Sequence, residues 1–99
     1  MQITIAPYLL STYKLIQCAF PNGIETQDYL PLLALLYDQM SDRNLAEIVV
    51  HYTGRHYAVV LNDVYRVVTT DVPKAETIDK VKQRLLVCGY QEWLKEAES

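Results

Sequence analysis

The feature that most constrains this chain is the segment of residues 30–40, which is apolar around almost its whole circumference when it is drawn as a helix. A helix without a polar face is usually covered on several sides by other elements. Pro31 is compatible with the first turn of such a helix, because the amide hydrogen that proline lacks has no intrahelical partner there. Thr26 and Asp28 are both suitable N-cap residues just before it. The segment therefore predicts a central helix around which the rest of the chain packs.

Two further segments predict helices with a single apolar face. Residues 7–20 begin with Pro7, which suits the first position of a helix, and their apolar side chains recur at steps of three and four residues. Residues 41–54 begin with Ser41 as an N-cap and end at Gly54, the residue type that most readily terminates a helix. We expect both helices to bury their apolar faces against the central one.

Residues 49–61 admit two different structures. Their β-branched and aromatic side chains on either side of a glycine are typical of a β-hairpin. The apolar spacing up to residue 52 favours a helix instead. We predict helix for the first half of this segment and leave residues 57–61 open between strand and helix.

The C-terminal third of the chain predicts two more helices and a tail. Asn62 can cap a helix that ends before Pro73, although its β-branched valines make it intrinsically weak. Residues 76–88 carry an apolar stripe that stops at Gly89. A short amphipathic tail containing Trp93 follows.

Length and composition agree with an ordinary globular chain. The 99 residues are 51% hydrophobic and 21% charged, which excludes intrinsic disorder and a disulfide scaffold. Taken with the helical segments, they predict an all-α single domain over residues 1–99, a compact bundle of four to five helices. A minor β-hairpin near residues 49–61 is the alternative for that segment.

The cysteines and the N-terminal segment bear on the cellular compartment. Cys18 and Cys88 lack the number and spacing of a secreted cysteine framework or a zinc site, so we expect them to be reduced and to pack in the core. The N-terminal apolar stretch does not match a signal peptide, because no basic residue precedes it and Lys14 interrupts it. No uncharged stretch reaches the roughly 18 residues needed to span a bilayer. These features predict a cytoplasmic protein with no membrane contact.

Several motifs of the chain together resemble those of one known family. In chain order they are Phe20-Pro21-Asn22-Gly23-Ile24, Asp28-Tyr29, Pro31-Leu32-Leu33-Ala34-Leu35-Leu36, Ser41-Asp42, Asp63-Val64, Val68-Thr69, Pro73, Ile78, Val81, Arg84-Leu85 and Gly89-Tyr90. Over residues 15–91 the chain resembles the domain of unknown function 3349 family, small bacterial domains best represented in mycobacteria and other actinobacteria. The resemblance implies a compact, mainly helical domain and no particular activity, since none is established for the family. Residues 55–61 are more apolar and β-prone than the family pattern.

The chain offers few candidates for catalysis or for cofactor and metal binding. His51 and His56 are five positions apart and do not share a helix face, so we interpret them as ordinary surface or partly buried histidines. The isolated glycines form no phosphate-binding loop. Asp28, Asp38 and Asp42 cluster loosely around the central helix, and helix capping explains the first and the last. We therefore predict no enzymatic activity, no catalytic residue, no cofactor and no metal.

Nucleic-acid binding is the alternative function. The helices around residues 64–70 and 76–88, joined by a short turn that contains a proline, have the proportions of a helix-turn-helix. The basic residues that concentrate there are Arg66, Lys74, Lys80, Lys82 and Arg84. Acidic residues interleave with them, and a net charge of −3 for the chain argues against a domain that mainly neutralises phosphates.

A protein-interaction module is the function that the sequence favours. Eight tyrosines, against one Phe and one Trp, supply rings that tolerate partial burial and are enriched at binding surfaces. Most of the tyrosines fit the apolar faces of the predicted helices. The aromatic residues that are less tied to such a face are Tyr57, Tyr65, Tyr90 and Trp93. We predict that these four residues form an exposed surface for an unknown protein partner or for a second copy of the chain.

Overall fold

The computed structural model describes residues 7–98, with side chains from Leu9 to Glu96. Within that range the chain forms α-helices and no β-strand, which confirms the all-helical prediction. The helices are α1 (Pro7–Ala19), α2 (Thr26–Tyr37), α3 (Asp42–Thr53), α4 (Tyr57–Thr69), α5 (Ala75–Leu86) and α6 (Tyr90–Glu98). The predicted count of four to five is too low, because the amphipathic tail forms a helix of its own. None of the described helices has the length and apolar character needed to cross a membrane.

The α2 helix is the central one, as its apolar sequence predicts. It packs against α3, α4 and α5. Its buried residues are Tyr29, Pro31, Leu32, Leu33 and Leu36. Each leucine buried in this way contributes roughly 1.5–3 kcal/mol of transfer free energy, so α2 supplies a large part of what holds the bundle together.

The start of α2 differs from the prediction. Glu25 is the N-cap residue, and its side chain makes no capping hydrogen bond. Thr26 and Asp28 lie inside the first turn instead, and Pro31 falls one turn further into the helix. Asp28 still contributes a negative charge at the positive end of the helix.

Residues 49–61 form parts of two helices, and the alternative of a β-hairpin is wrong. Gly54 ends α3 in a left-handed conformation with a φ of +75°, and His56 is the N-cap residue of α4. Val49 of α3 and Val60 of α4 are both fully buried, and the two helices pack against each other. Burying a valine contributes about 1.5 kcal/mol or more, whereas a β-branched residue costs a helix less than about 0.7 kcal/mol. Packing therefore outweighs the local preference for strand.

The α4 helix begins at Tyr57, five residues before the cap that the sequence predicts. Asn62 is exposed in the middle of the helix and caps nothing. The buried face includes Val60, which belongs to the first turn of the helix that the sequence left unassigned.

The α3 helix confirms the prediction for residues 41–54. Ser41 is its N-cap, and the Oγ of Ser41 accepts a hydrogen bond from the backbone N–H of Asn44 at 3.1 Å. This N–H would have no partner within the helix. We expect Ser41→Ala to lower the free energy of unfolding by about 1 kcal/mol in urea denaturation. Ser11→Ala, on the exposed side of α1 away from its ends, should change it by less than about 0.5 kcal/mol, and equal effects of both variants would contradict the capping role.

The two cysteines form a disulfide, so the prediction that they are reduced and packed in the core is wrong. The Sγ atoms of Cys18 and Cys88 are 2.10 Å apart and the Cα atoms 5.9 Å apart. Cys18 is exposed near the end of α1, and Cys88 lies partly buried between α5 and α6. The bond closes a separation of 70 residues. Sequence spacing carries no sign of this proximity, because the packing of α5 and α6 against α1 creates it.

Candidate protein interface

Two of the four predicted partner residues are exposed, and both lie on α4. Tyr57 is 41% exposed and Tyr65 is 45% exposed. Tyr90 and Trp93, in contrast, are only 2% and 7% exposed. The prediction that these two belong to an exposed partner surface is therefore wrong.

Tyr90 and Trp93 attach α6 to the rest of the molecule. Their rings stack with centroids 5.8 Å apart, and Nε1 of Trp93 donates a buried hydrogen bond to Oγ1 of Thr12 in α1 at 2.9 Å. Burial raises the pKa of Tyr90. The spacing of Tyr90, Trp93 and Leu94 matches the apolar face of a helix, a signal from which their burial could have been predicted.

Most of the exposed apolar residues of α4 lie along one side of the helix, and Val59, which is 52% exposed, lies on the opposite side. Tyr57, Leu61, Tyr65 and Val68 follow each other at steps of four, four and three residues, which places them side by side. We call these four residues the α4 stripe. Leu61 is partly buried and Val68 is 42% exposed. By helical periodicity the stripe lies beside the buried face of α4 rather than on it.

A hydrogen bond to the start of α3 orients one member of the stripe. The hydroxyl of Tyr65 donates to Oδ2 of Asp42 at 2.7 Å, while Oδ1 of Asp42 accepts from the backbone N–H of Arg43. The Tyr65–Asp42 hydrogen bond lowers the pKa of Asp42 and raises the pKa of Tyr65. Because its hydroxyl is tethered, the Tyr65 ring has less rotational freedom to lose when a partner covers it.

A buried carboxylate that sequence reasoning did not identify holds α4 against α2. Asp63 is 6% exposed. Its Oδ2 accepts a hydrogen bond from the hydroxyl of Tyr29, and its Oδ1 accepts one from the Nη1 of Arg66, both at 2.9 Å. Arg66 also pairs with Asp71 at 2.6 Å, and the guanidinium of Arg55 lies 4.2 Å from the centroid of the Tyr29 ring. A carboxylate can be buried here because it is both hydrogen-bonded and paired with a cation.

The two arginines proposed for nucleic-acid contact are engaged within the fold. Arg66 is held by the carboxylates just described. Arg84 donates from Nε and Nη2 to the carbonyl oxygen of Ala19 at 3.1 and 2.8 Å, and its Nη1 lies 3.2 Å from Oδ2 of Asp28. Its guanidinium also lies 4.3 Å from the centroid of the Phe20 ring. Arg84 thus places a positive charge at the C-terminal end of α1, where the helix dipole favours it.

The α4 and α5 helices do not pack together as a helix-turn-helix. Within the described helices, α4 contacts α2 and α3, whereas α5 contacts α1, α2 and α6. These two helices therefore do not form the helical hairpin that the sequence suggests. The three lysines of the predicted nucleic-acid surface are exposed, and so are two acidic residues between them: Lys74, Lys80, Lys82, Glu76 and Asp79. A role for these lysines in nucleic-acid binding stays a prediction.

The histidines lie apart from any cluster of ligands. His51 is partly buried in the last turn of α3, and His56 is exposed before α4. In the part of the chain that the structure describes, no group of three or more His, Cys, Asp or Glu side chains could hold a metal ion. Both cysteines are engaged in the disulfide.

Buried tyrosines make stability sensitive to alkaline pH. Burial raises the pKa of Tyr29, Tyr52 and Tyr90, and the hydrogen bond to Asp63 raises that of Tyr29 further. A tyrosine whose pKa is higher in the folded state stabilises the fold fully below the unfolded-state pKa of about 10, and that contribution is lost as the pH rises through the folded-state pKa. We expect the free energy of unfolding to fall as the pH rises above about 10. The ultraviolet absorbance of tyrosinate should show two classes of tyrosine. If all eight tyrosines titrate as one class while the circular dichroism is unchanged, this account is contradicted.

The described residues define an all-helical domain with a disulfide between its first and last helical regions and an apolar stripe on α4. The chain belongs to the family described as Protein of unknown function (DUF3349), whose model matches residues 8–93. The match confirms the family resemblance and extends it to Trp93 in α6. No curated protein and no solved structure matches the chain.

Proposed function

We propose that this domain is a non-enzymatic protein-interaction module and that the α4 stripe binds a second copy of the same chain. The observation that carries the proposal is exposure: Tyr57, Tyr65 and Val68 each leave more than two fifths of their surface in solvent. Contiguous exposed apolar surface of this kind marks interaction sites on soluble proteins. Tyrosine is also enriched at interfaces and among the residues that contribute most to binding.

The charges around the stripe favour a second copy as the partner. Asp63 and Arg66 are the only charged residues of α4, and they form an ion pair with each other. The chain carries a net charge of −3, so two copies that met through acidic surfaces would repel each other. The acidic groups at the α4 stripe are Asp63, which is paired with Arg66, and Asp42, which accepts a hydrogen bond from Tyr65, so α4 itself adds no net charge to that repulsion.

The length of the stripe suits a two-fold arrangement. Tyr57 and Val68 are separated by about 17 Å along the helix axis. If two α4 helices pack in opposite directions, Tyr57 of one copy lies against Val68 of the other. The same residues then serve on both sides, as in the two-fold dimers that are the commonest oligomers.

The non-enzymatic part of the proposal is supported by the contacts of the carboxylates. Asp28 pairs with Arg84, Asp42 accepts a hydrogen bond from Tyr65, and Asp63 is held by Tyr29 and Arg66. Each of these contacts has a structural role in holding two elements together.

The cytoplasmic location predicted from the sequence is part of this proposal. Thiols are kept reduced in the cytoplasm, where structural disulfides are rare. This location therefore requires that the fold persists when the Cys18–Cys88 bond is open, as expected for a domain stable by roughly 5–15 kcal/mol. Cell fractionation with immunodetection tests the location: recovery with cytoplasmic markers is expected, and recovery with exported proteins would contradict it.

The self-association proposal predicts a dimer that depends on the α4 stripe. Sedimentation velocity of the chain is expected to show a species of twice the 11.4 kDa of one copy. The double substitution Tyr57→Ser with Val68→Ser leaves the Tyr65–Asp42 hydrogen bond in place and should raise the dissociation constant roughly tenfold or more.

Val87→Ser is the matched control for this experiment. Val87 is 86% exposed between α5 and α6, outside the stripe, so this substitution removes exposed apolar surface without touching α4. It should leave the dissociation constant unchanged. A chain that remains monomeric at every soluble concentration, or equal weakening by the two variants, would contradict the proposed interface.

A further inference from the structure

The Cys18–Cys88 disulfide is open to solvent and lies at the base of α6. Cys18 is exposed on α1, and Cys88 immediately precedes Gly89, whose φ of +92° turns the chain from α5 into α6. Among the described helices, α6 contacts only α1 and α5. The disulfide therefore reinforces the attachment that Tyr90 and Trp93 make through packing.

A cleft of about 330 Å³ opens beside this disulfide. Cys88, Lys14, Glu92 and Trp93 are among the residues that line it. Lys14 lies one helical turn before Cys18 on α1, so a cation stands close to the bond. Cys88 lines the cleft and Cys18 does not, so the cleft leaves room for the Cys88 thiolate that departs when a thiol attacks Cys18 from the exposed side of α1.

The two sulfurs differ in access. Cys18 is exposed in the last turn of α1, whereas Cys88 is partly buried between the end of α5 and the start of α6. Helix-end charges do not separate them, because Arg84 donates to the carbonyl of Ala19 beside Cys18, and Cys88 lies between the carbonyl end of α5 and the amide end of α6. In the cleft, Lys14 favours a thiolate, and Glu92 and Glu96 oppose it. Since the rate of exchange depends on access to the sulfur that is attacked, Cys18 is the better target for an external thiol.

We infer that the Cys18–Cys88 disulfide is a reversible thiol-exchange site at which an external thiol attacks Cys18. The incoming thiolate forms a new S–S bond with Sγ of Cys18, the bond between Cys18 and Cys88 breaks, and Cys88 leaves as a thiolate that takes a proton from water. A second external thiolate attacks the incoming sulfur, which forms an external disulfide and releases Cys18, which is then protonated. Two electrons pass from two external thiols to the protein disulfide.

Opening the disulfide leaves α6 held by packing alone. The hydrogen bond from Trp93 to Thr12 and the burial of Tyr90 and Trp93, whose rings stack on each other within α6, then keep α6 in place. Trp93 is the single tryptophan of the chain, so its fluorescence reports directly on this helix. Exchange at Cys18 therefore couples thiol chemistry to the attachment of α6.

Glutathione is the probe for the site of attack. The folded, oxidised protein is mixed with glutathione, quenched rapidly with excess N-ethylmaleimide and cut with trypsin, which places Cys18 and Cys88 on the separate peptides 15–43 and 85–95. We expect glutathione on Cys18 and maleimide on Cys88, in an excess of roughly tenfold over the reverse. Glutathione mainly on Cys88, or no adduct on the folded protein, would overturn the inference.

Two charge variants and the tryptophan complete the test. Lys14→Gln should slow the exchange and Glu92→Gln should accelerate it, while neither changes the number of cysteines. After exchange, Trp93 emission should shift to longer wavelength and become more accessible to acrylamide while the far-ultraviolet circular dichroism shows that α1 to α5 persist. If both charge variants exchange at the wild-type rate, or if Trp93 fluorescence is unchanged after complete exchange, the proposed site is overturned.

Discussion

Loss of the Cys18–Cys88 disulfide is expected to lower the free energy of unfolding by about 4 kcal/mol. The bond closes a loop with a sequence separation of 70 residues, which spans α2 to α5. Without it the unfolded chain gains the freedom to separate these two points, and the gain grows with the logarithm of the loop length. Because a domain of this size is stable by roughly 5–15 kcal/mol, the reduced protein should remain folded under native conditions but unfold at a much lower denaturant concentration.

Guanidinium denaturation of the wild type with and without dithiothreitol measures this effect. The double variant Cys18→Ser with Cys88→Ser is the control, because it should match the reduced wild type and show no response to the reductant. Counting of free thiols verifies that reduction is complete. If the fully reduced wild type has the same free energy of unfolding as the oxidised protein, the stabilising role of the bond is contradicted.

Asp63→Ala is expected to lower the free energy of unfolding by about 3 kcal/mol, near the lower limit for breaking a buried ion pair. The substitution leaves the buried hydroxyl of Tyr29 without its acceptor and removes one of the two carboxylates that hold Arg66. The effect is not larger because the Arg66 side chain is 43% exposed and keeps its bond to Asp71. The loss should appear as a lower midpoint in urea denaturation.

Asp71→Ala is the matched control for Asp63→Ala. It removes the other carboxylate of Arg66, but the Asp71 side chain is 45% exposed, so its loss should cost at most about 1 kcal/mol. Tyr29→Phe keeps the ring and removes the hydroxyl, and a cycle with Asp63→Ala isolates the hydrogen bond between them. If Asp63→Ala and Asp71→Ala lower the free energy of unfolding equally, the larger contribution that we assign to the buried Asp63 is contradicted.

Local sequence signals predicted the elements whose pattern and packing agree. The all-apolar segment around Leu32 and Leu36 was predicted to be central, and it packs against three other helices. Ser41 and Gly54 were predicted to bound a helix, and they are the N-cap and C-cap of α3. At these positions the local preferences of the residues and the final burial favour the same structure.

Structural features that depend on contacts between residues distant in the sequence could not be predicted in the same way. The β-branched residues around Val60 favour strand locally, and only their burial among neighbouring helices reverses that preference. Cys18 and Cys88 meet because α5 and α6 pack against α1, which no spacing rule reveals. Asp63 directly follows Asn62, which resembles a helix cap. The sequence therefore places Asp63 at the exposed start of a helix, whereas it is buried among valines in the middle of α4.

Half of the predicted partner surface was identified correctly as exposed, for a physical reason. The exposed side of α4 adjoins its buried face, so Tyr57 and Tyr65 lie next to core positions without being covered. Tyr90 and Trp93 have the same residue types and similar spacing, but α1 lies against their helix. Residue type therefore indicates where a tyrosine can serve at an interface, and tertiary packing decides which ones are free to do so.

We propose that two copies of the chain meet through the α4 stripe. Isotope-filtered nuclear Overhauser spectroscopy on a mixture of labelled and unlabelled chains tests it most directly, because only contacts between copies give a signal. We expect contacts between the methyl groups of Val68 in one copy and the ring of Tyr57 in the other. Intermolecular contacts confined to other exposed apolar residues such as Val87, or none at all at high concentration, would contradict it.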